Sequence, residues 1–144
     1  MNILEAYIHF FGKIFIHIIG IPGSGKNEYI KELSENLNIK YIDINDYKND
    51  YEPKLKIPKS NKSIVNIFDI DTYDFDSLNE DINLHSSDGI ILSSYGFSHT
   101  KLEIKPDLVI MLDINKHFAM KQYISLNPQI NSKYLMNLFN FFLF

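Results

Sequence analysis

The chain contains no cysteine and no arginine; all 14 of its basic residues are lysines. The missing cysteine excludes a disulfide framework and a thiolate metal site. That suits a cytoplasmic protein, which is the expected compartment. The missing arginine excludes the planar, two-pronged grip on phosphate that a guanidinium provides, so lysine must meet phosphate as a point charge. Any arginine clamp would have to come from a partner. Asn, Ile, Lys, Tyr and Phe are abundant, as AT-rich coding would produce, and the chemical consequence is the same whatever the cause.

A basic surplus is also missing. The net charge is −4, so no nucleic-acid partner is expected. A long apolar run is missing too. The opening stretch MNILEAYIHFFGKIFIHIIGI is interrupted by Glu5, His9, Lys13 and His17, and no small-residue cleavage site follows. A membrane span needs about 20 consecutive apolar residues, so no membrane association is expected. A buried strand leading into a loop explains the stretch better. The tail NLFNFFLF, residues 137–144, is aromatic but too short to span a bilayer. It suits a packed last helix, a contact with a partner or a second copy, or the end of a shortened chain. With no internal repeat and no linker, residues 1–144 read as one domain around a single core.

Periodicity supplies the elements. KIFIHII, Lys13 to Ile19, is a short Ile-rich run that ends at Gly20 and reads as a buried parallel strand. From Lys26 the period changes: Tyr29, Ile30, Leu33 and Leu37 fall at helical spacing, with Glu28, Lys31, Glu32 and Glu35 on the outer face. IKYIDI, Ile39 to Ile44, is a second strand and completes a βαβ unit. Lys48 to Lys62 is polar, lysine-rich and holds Pro53 and Pro58, which predicts a loop or mobile flap. SIVNIF is a candidate short strand. Asp74 is a candidate N-cap for a helix carrying Phe75, Leu78 and Ile82. GIILSS, Gly89 to Ser94, and DLVIMLDI, Asp107 to Ile114, are further core strands. Asn115 would cap a helix that breaks near Asn127-Pro128. The alternation predicts an α/β fold, a parallel sheet of about four core strands with helices on both faces.

Gly20-Ile21-Pro22-Gly23-Ser24-Gly25-Lys26 matches the pattern G-x-x-x-x-G-K between strand and helix. Glycines let the backbone fold into a nest of inward N–H groups. The following helix aims its positive dipole end at the same point, and the lysine adds a mobile charge for the outer phosphates. The competing reading is a glycine-rich turn that binds nothing. Asn27 stands where such loops place a serine or threonine hydroxyl for Mg²⁺. Its carbonyl oxygen is an admissible ligand for a hard cation, so Asn27 is the candidate metal ligand. The strand GIILSS ends in Ser93-Ser94 rather than in an acid, which implies weak or indirect Mg²⁺ binding. Asp43, Asp46 and Asp50 lie at and after the end of the second strand, where open α/β sheets bind ligands. A carboxylate there can accept a proton from a substrate hydroxyl; the alternative is turn capping.

These stretches resemble the P-loop small-molecule kinases of the uridine kinase group. IIGIPGSGKN resembles the family's phosphate loop. YIDINDYK resembles its strand and acidic-aromatic turn, D-[DS]-[FY], which supplies the catalytic base. FDIDTYDFDSL resembles its nucleoside-pocket segment N-F-D-H-P-D-A-F-D-x-x-L-L, one residue shorter after Ile70. The resemblance runs over roughly residues 13 to 125. It implies a P-loop NTPase-type sheet, ATP and Mg²⁺ as cofactors, and phosphoryl transfer to a nucleoside-like hydroxyl. It implies that residues 20–27 bind nucleotide, with Lys26 as the phosphate lysine. The base falls on Asn45 or Asp46 depending on register, with Asp43 or Asp46 as the available acids. Phe68, Asp69 and Tyr73 match pocket positions. The family's acid after the third strand has no counterpart near Ser93 to Tyr95. Its arginine-bearing lid and fifth strand would begin about where this chain ends. Three readings stay open: a kinase, a weak or inactive nucleotide-binding module, and a scaffold that keeps the fold.

Overall fold

A computed structural model describes residues 3–6, 13–50, 53–56, 63–114, 117, 118 and 121. The first strand, β1 (Phe15–Ile19), is followed by α1 (Lys26–Leu37), β2 (Lys40–Asp43), β3 (Lys54–Lys56), β4 (Ser63–Val65), α2 (Phe75–His85), β5 (Ile90–Ser94) and β6 (Leu108–Met111). Four strands form one all-parallel sheet in the order β2-β5-β1-β6. β1 and β5 are central and buried on both faces, as in a sheet covered on both sides.

The alternation along β1 and β5 divides the core. Ile16, Ile18 and Ile91 pack with Ile30 of α1, while Phe15, Ile90 and Leu92 pack with Leu78 and Ile82 of α2. The helices therefore cover opposite faces. α1 ends at Asn38, whose left-handed backbone (φ 53°) lets its N–H reach the Ser34 carbonyl, a role asparagine tolerates. α2 starts at the expected cap: Asp74 accepts from the Ser77 N–H at 3.1 Å and from the Ser77 hydroxyl at 2.8 Å. Among the described residues no helix is long and apolar enough to cross a membrane.

The segment expected to be a loop from Lys48 to Lys62 needs correction. β3 lies within it and pairs antiparallel with β4, Leu55 opposite Ile64. Pro53 stands just before the strand, where its missing N–H costs no ladder bond. Strand two is also shorter than expected, because Ile44 leaves the ladder to open a 3₁₀ turn over Ile44–Tyr47. The expected cap Asn115, the break at Asn127-Pro128 and the aromatic tail lie outside the described residues.

The sheet order creates a crevice. From β1 the chain leaves towards α1 on one face. From β5 it leaves towards Phe97, Leu102 and Ile104, which pack on the α2 face. Adjacent strands whose connections part in opposite directions open a cleft at their carboxyl ends.

Candidate functional site

The glycine loop closes the β1 end of that crevice. The Gly20 N–H donates to the Ser94 carbonyl at 3.2 Å, which extends the β1–β5 pairing into the loop. Gly23 (φ 82°) and Gly25 (φ 79°) are left-handed, a conformation costly for residues with a Cβ. Gly25 is the N-cap of α1 and offers no side chain to its N–H groups. Those groups and the helix dipole make a positive end at the loop. Gly20 is needed for space: a Cβ there would lie 2.6 Å from Ser24 Oγ. That hydroxyl is itself buried and has no hydrogen-bond partner among the described residues.

Lys26 folds back into the crevice and is only 6% exposed. Its ammonium donates to the carbonyls of Ser94 at 2.9 Å and Gly20 at 3.2 Å, and it lies 4.1 Å from the centre of the Tyr95 ring. Burial lowers its pKa from the ordinary 10.5 to about 8, against the opposing pull of the Asp43 carboxylate. The ammonium is therefore held by backbone dipoles and an aromatic face at the point towards which the loop turns.

Of the three candidate acids, Asp43 is the one brought to the loop. It pairs in register with Ser93 and shares a pocket with Asn27. Its Oδ1 accepts both the backbone and the side-chain N–H of Asn45 at 3.0 Å. The same Asn45 amide donates to the Tyr95 hydroxyl at 2.9 Å. Asp43, Asn45, Tyr95 and Lys26 thus form one chain of contacts across the crevice. Asp46, in the 3₁₀ turn, and Asp50 are exposed.

Asn27 is exposed beside the loop. It supplies one carbonyl and Asp43 one carboxylate, and a magnesium ion held mainly by nucleotide phosphates and water needs no more. Among the described residues no group of three or more His, Cys, Asp or Glu side chains forms a metal cage. Asn27 and Asp43 fit a cation that arrives with phosphate.

The three expected pocket residues part company. Phe68 stands at the site, its ring edge-on to Tyr95 at 6.0 Å. Asp69 accepts from the Asp71 N–H at 2.9 Å and so caps its own turn. Tyr73 is buried in the α2-side core, with its hydroxyl donating to the Ile67 carbonyl at 2.5 Å. Burial, Tyr95 and Asp43 raise its pKa.

Sequence reasoning missed Tyr95 and Asn45 as connecting groups. The available signal was position, since both follow strand ends on the ligand-binding edge of the sheet. It also missed a histidine pair beneath the loop. His17 is fully buried on β1; its Nδ1 lies 2.9 Å from His99 Nε2 and its Nε2 lies 2.7 Å from Ser94 Oγ. Burial, then the charges of His99 and Lys26, lower the His17 pKa from 6.5 to about 4, so this imidazole is neutral at pH 7. A scan against models of known protein families matches none of them, and a search of curated proteins finds no match.

Proposed function

We propose that this chain is a P-loop NTPase-type phosphotransferase that binds ATP at residues 20–27 and transfers its terminal phosphoryl group to a hydroxyl of a nucleoside-like small molecule. The observation that carries the reading is the convergence of a left-handed glycine loop, a helix N-terminus without a side-chain cap, and the Lys26 ammonium at a sheet switch point, with Asp43 alongside. Loop N–H groups and Lys26 hold the outer phosphates, and Phe68 and Tyr95 flank the acceptor. Asp43 takes the proton from the acceptor hydroxyl as its oxygen bonds to the γ-phosphorus. The bond from that phosphorus to the bridging oxygen breaks, and ADP leaves. Asn27 would hold Mg²⁺, with Asp43 reaching the ion only through water, and the ion would neutralise charge on the phosphate oxygens.

Lys26 is engaged by two carbonyls and a ring, and the chain offers no arginine of its own. That favours a second reading, a module that binds nucleotide and turns it over slowly or not at all. Labelled phosphate transfer from ATP to uridine and cytidine, measured beside ATP binding, tests both. Transfer that disappears in Lys26→Ala supports the enzyme; binding without transfer selects the module; absence of both refutes nucleotide recognition.

A further inference from the structure

The pocket that Asp43 shares with Asn27 lies against the first turns of α1 and the carboxyl ends of β2 and β5. It has a volume of about 260 Å³ and is lined by Asn27, Ile30, Lys31, Tyr41, Asp43 and Ser93. Asn27, Ile30 and Lys31 come from the first turns of α1. Tyr41 and Asp43 alternate on β2, and Ser93 is the β5 residue in register with Asp43.

Ser93 makes this more than a surface groove. The residue is 2% exposed, and its hydroxyl has no hydrogen-bond partner among the described residues. A buried hydroxyl without a partner is destabilising in an apolar setting, so its place on a pocket wall points to a ligand that supplies the partner. The other walls define that ligand. Ser93, the Asn27 amide and the Asp43 carboxylate together donate to and accept from hydroxyl groups. Lys31 gives one mobile positive charge at the rim. Tyr41, half exposed, and Ile30 give an apolar side against which carbon atoms can rest.

We propose that this pocket is a second small-molecule site, which takes a hydroxylated compound carrying one anionic group, a carboxylate or a phosphate. The hydroxyls meet Ser93, Asn27 and Asp43, and the anion meets Lys31. The pocket shares Asn27 and Asp43 with the proposed nucleotide site, while Ile30, Lys31, Tyr41 and Ser93 belong to it alone, and binding there does not require phosphoryl transfer at the glycine loop.

Calorimetric titration with two matched pairs tests it: gluconate against sorbitol, and glycerophosphate against glycerol, with inorganic phosphate as a control. A charge-assisted contact makes at least one charged member bind about tenfold or more tighter than its neutral partner, and tighter than phosphate. The pair that shows this tells carboxylate from phosphate. Lys31→Ala, an exposed change, removes that preference. Ser93→Ala weakens charged and neutral members alike by about fivefold, with an unchanged melting temperature confirming the fold. Lys26→Ala leaves the charged polyol bound. The proposal is overturned if neither charged member is preferred, if Lys31→Ala leaves the preference intact, or if binding is lost in Lys26→Ala, which would put the probe at the glycine loop. ATP titrated in parallel separates the two readings: ATP binding without polyol binding overturns this site alone, and polyol binding without ATP binding overturns the nucleotide reading alone.

Discussion

Lys26 carries opposing demands. Its ammonium is buried, which lowers its pKa to about 8, yet phosphate binding needs the charged form. ATP affinity should therefore be steady below pH 8 and fall as pH rises through 8 to 9.5, which titrations across that range will read. Stability moves the other way. The unfolded chain keeps this proton up to 10.5, so between pH 8 and 10.5 it binds more protons than the folded chain, and this group adds stability as pH rises. Lys26→Met should abolish ATP binding while raising the melting temperature at pH 7, because it removes a charge that costs on the order of 3 kcal/mol to bury. A fall in melting temperature would show that the contacts to Gly20, Ser94 and Tyr95 outweigh desolvation. His17 sets the acid side. Its folded pKa of about 4 lies below the unfolded 6.5, so its contribution is intact above pH 6.5 and is lost progressively from there down to pH 4. Urea unfolding at pH 7 and pH 5 should differ by about 2 kcal/mol from this residue. That share of the difference should be absent in His17→Gln.

At the scale of elements, α2 is held by its cap and by the buried side chains of Leu78, Asn79 and Ile82. Leu78 is completely buried in the core cluster that also holds Phe15, Ile42, Ile90, Leu92 and Leu102. Leu78→Ala should cost about 3 kcal/mol in chemical denaturation, with the site geometry retained. Asn79 locks the same helix to the connection after β5, donating to the Lys101 carbonyl at 2.9 Å and accepting from the Glu103 N–H at 3.0 Å. Local patterns were legible here. Asp74 ahead of Phe75, Leu78 and Ile82, the Ile-rich strands and the i, i+3, i+4 stripe of α1 are short-range signals, and each formed its expected element. The β3–β4 pairing was not legible. SIVNIF is a candidate strand by its sequence and supplies β4, but β3 carries Lys54 and Lys56 next to Pro53 and so reads as loop, whereas the ladder depends on which segment stands opposite.

Across the whole molecule, the order β2-β5-β1-β6 selects among residues that look equivalent along the chain. Asp43 and Asp46 are three positions apart, yet one lines the pocket beside Asn27 and the other is exposed. Asp43→Asn should abolish phosphoryl transfer with ATP binding largely kept, while Asp46→Asn should leave both unchanged; the opposite pattern would move the base to the 3₁₀ turn. The sequence alone determined the parallel α/β class, the strand–glycine loop–helix unit and the absence of arginine, because these follow from local period, backbone freedom and composition. Only the tertiary structure decided that Asp43 joins the loop, that Tyr73 belongs to the core, that Tyr95 covers Lys26 and that two histidines meet beneath Ser94. Those contacts join residues up to 82 positions apart. They exist because strands distant in sequence pair side by side, and local propensity carries no record of which strand will be the neighbour.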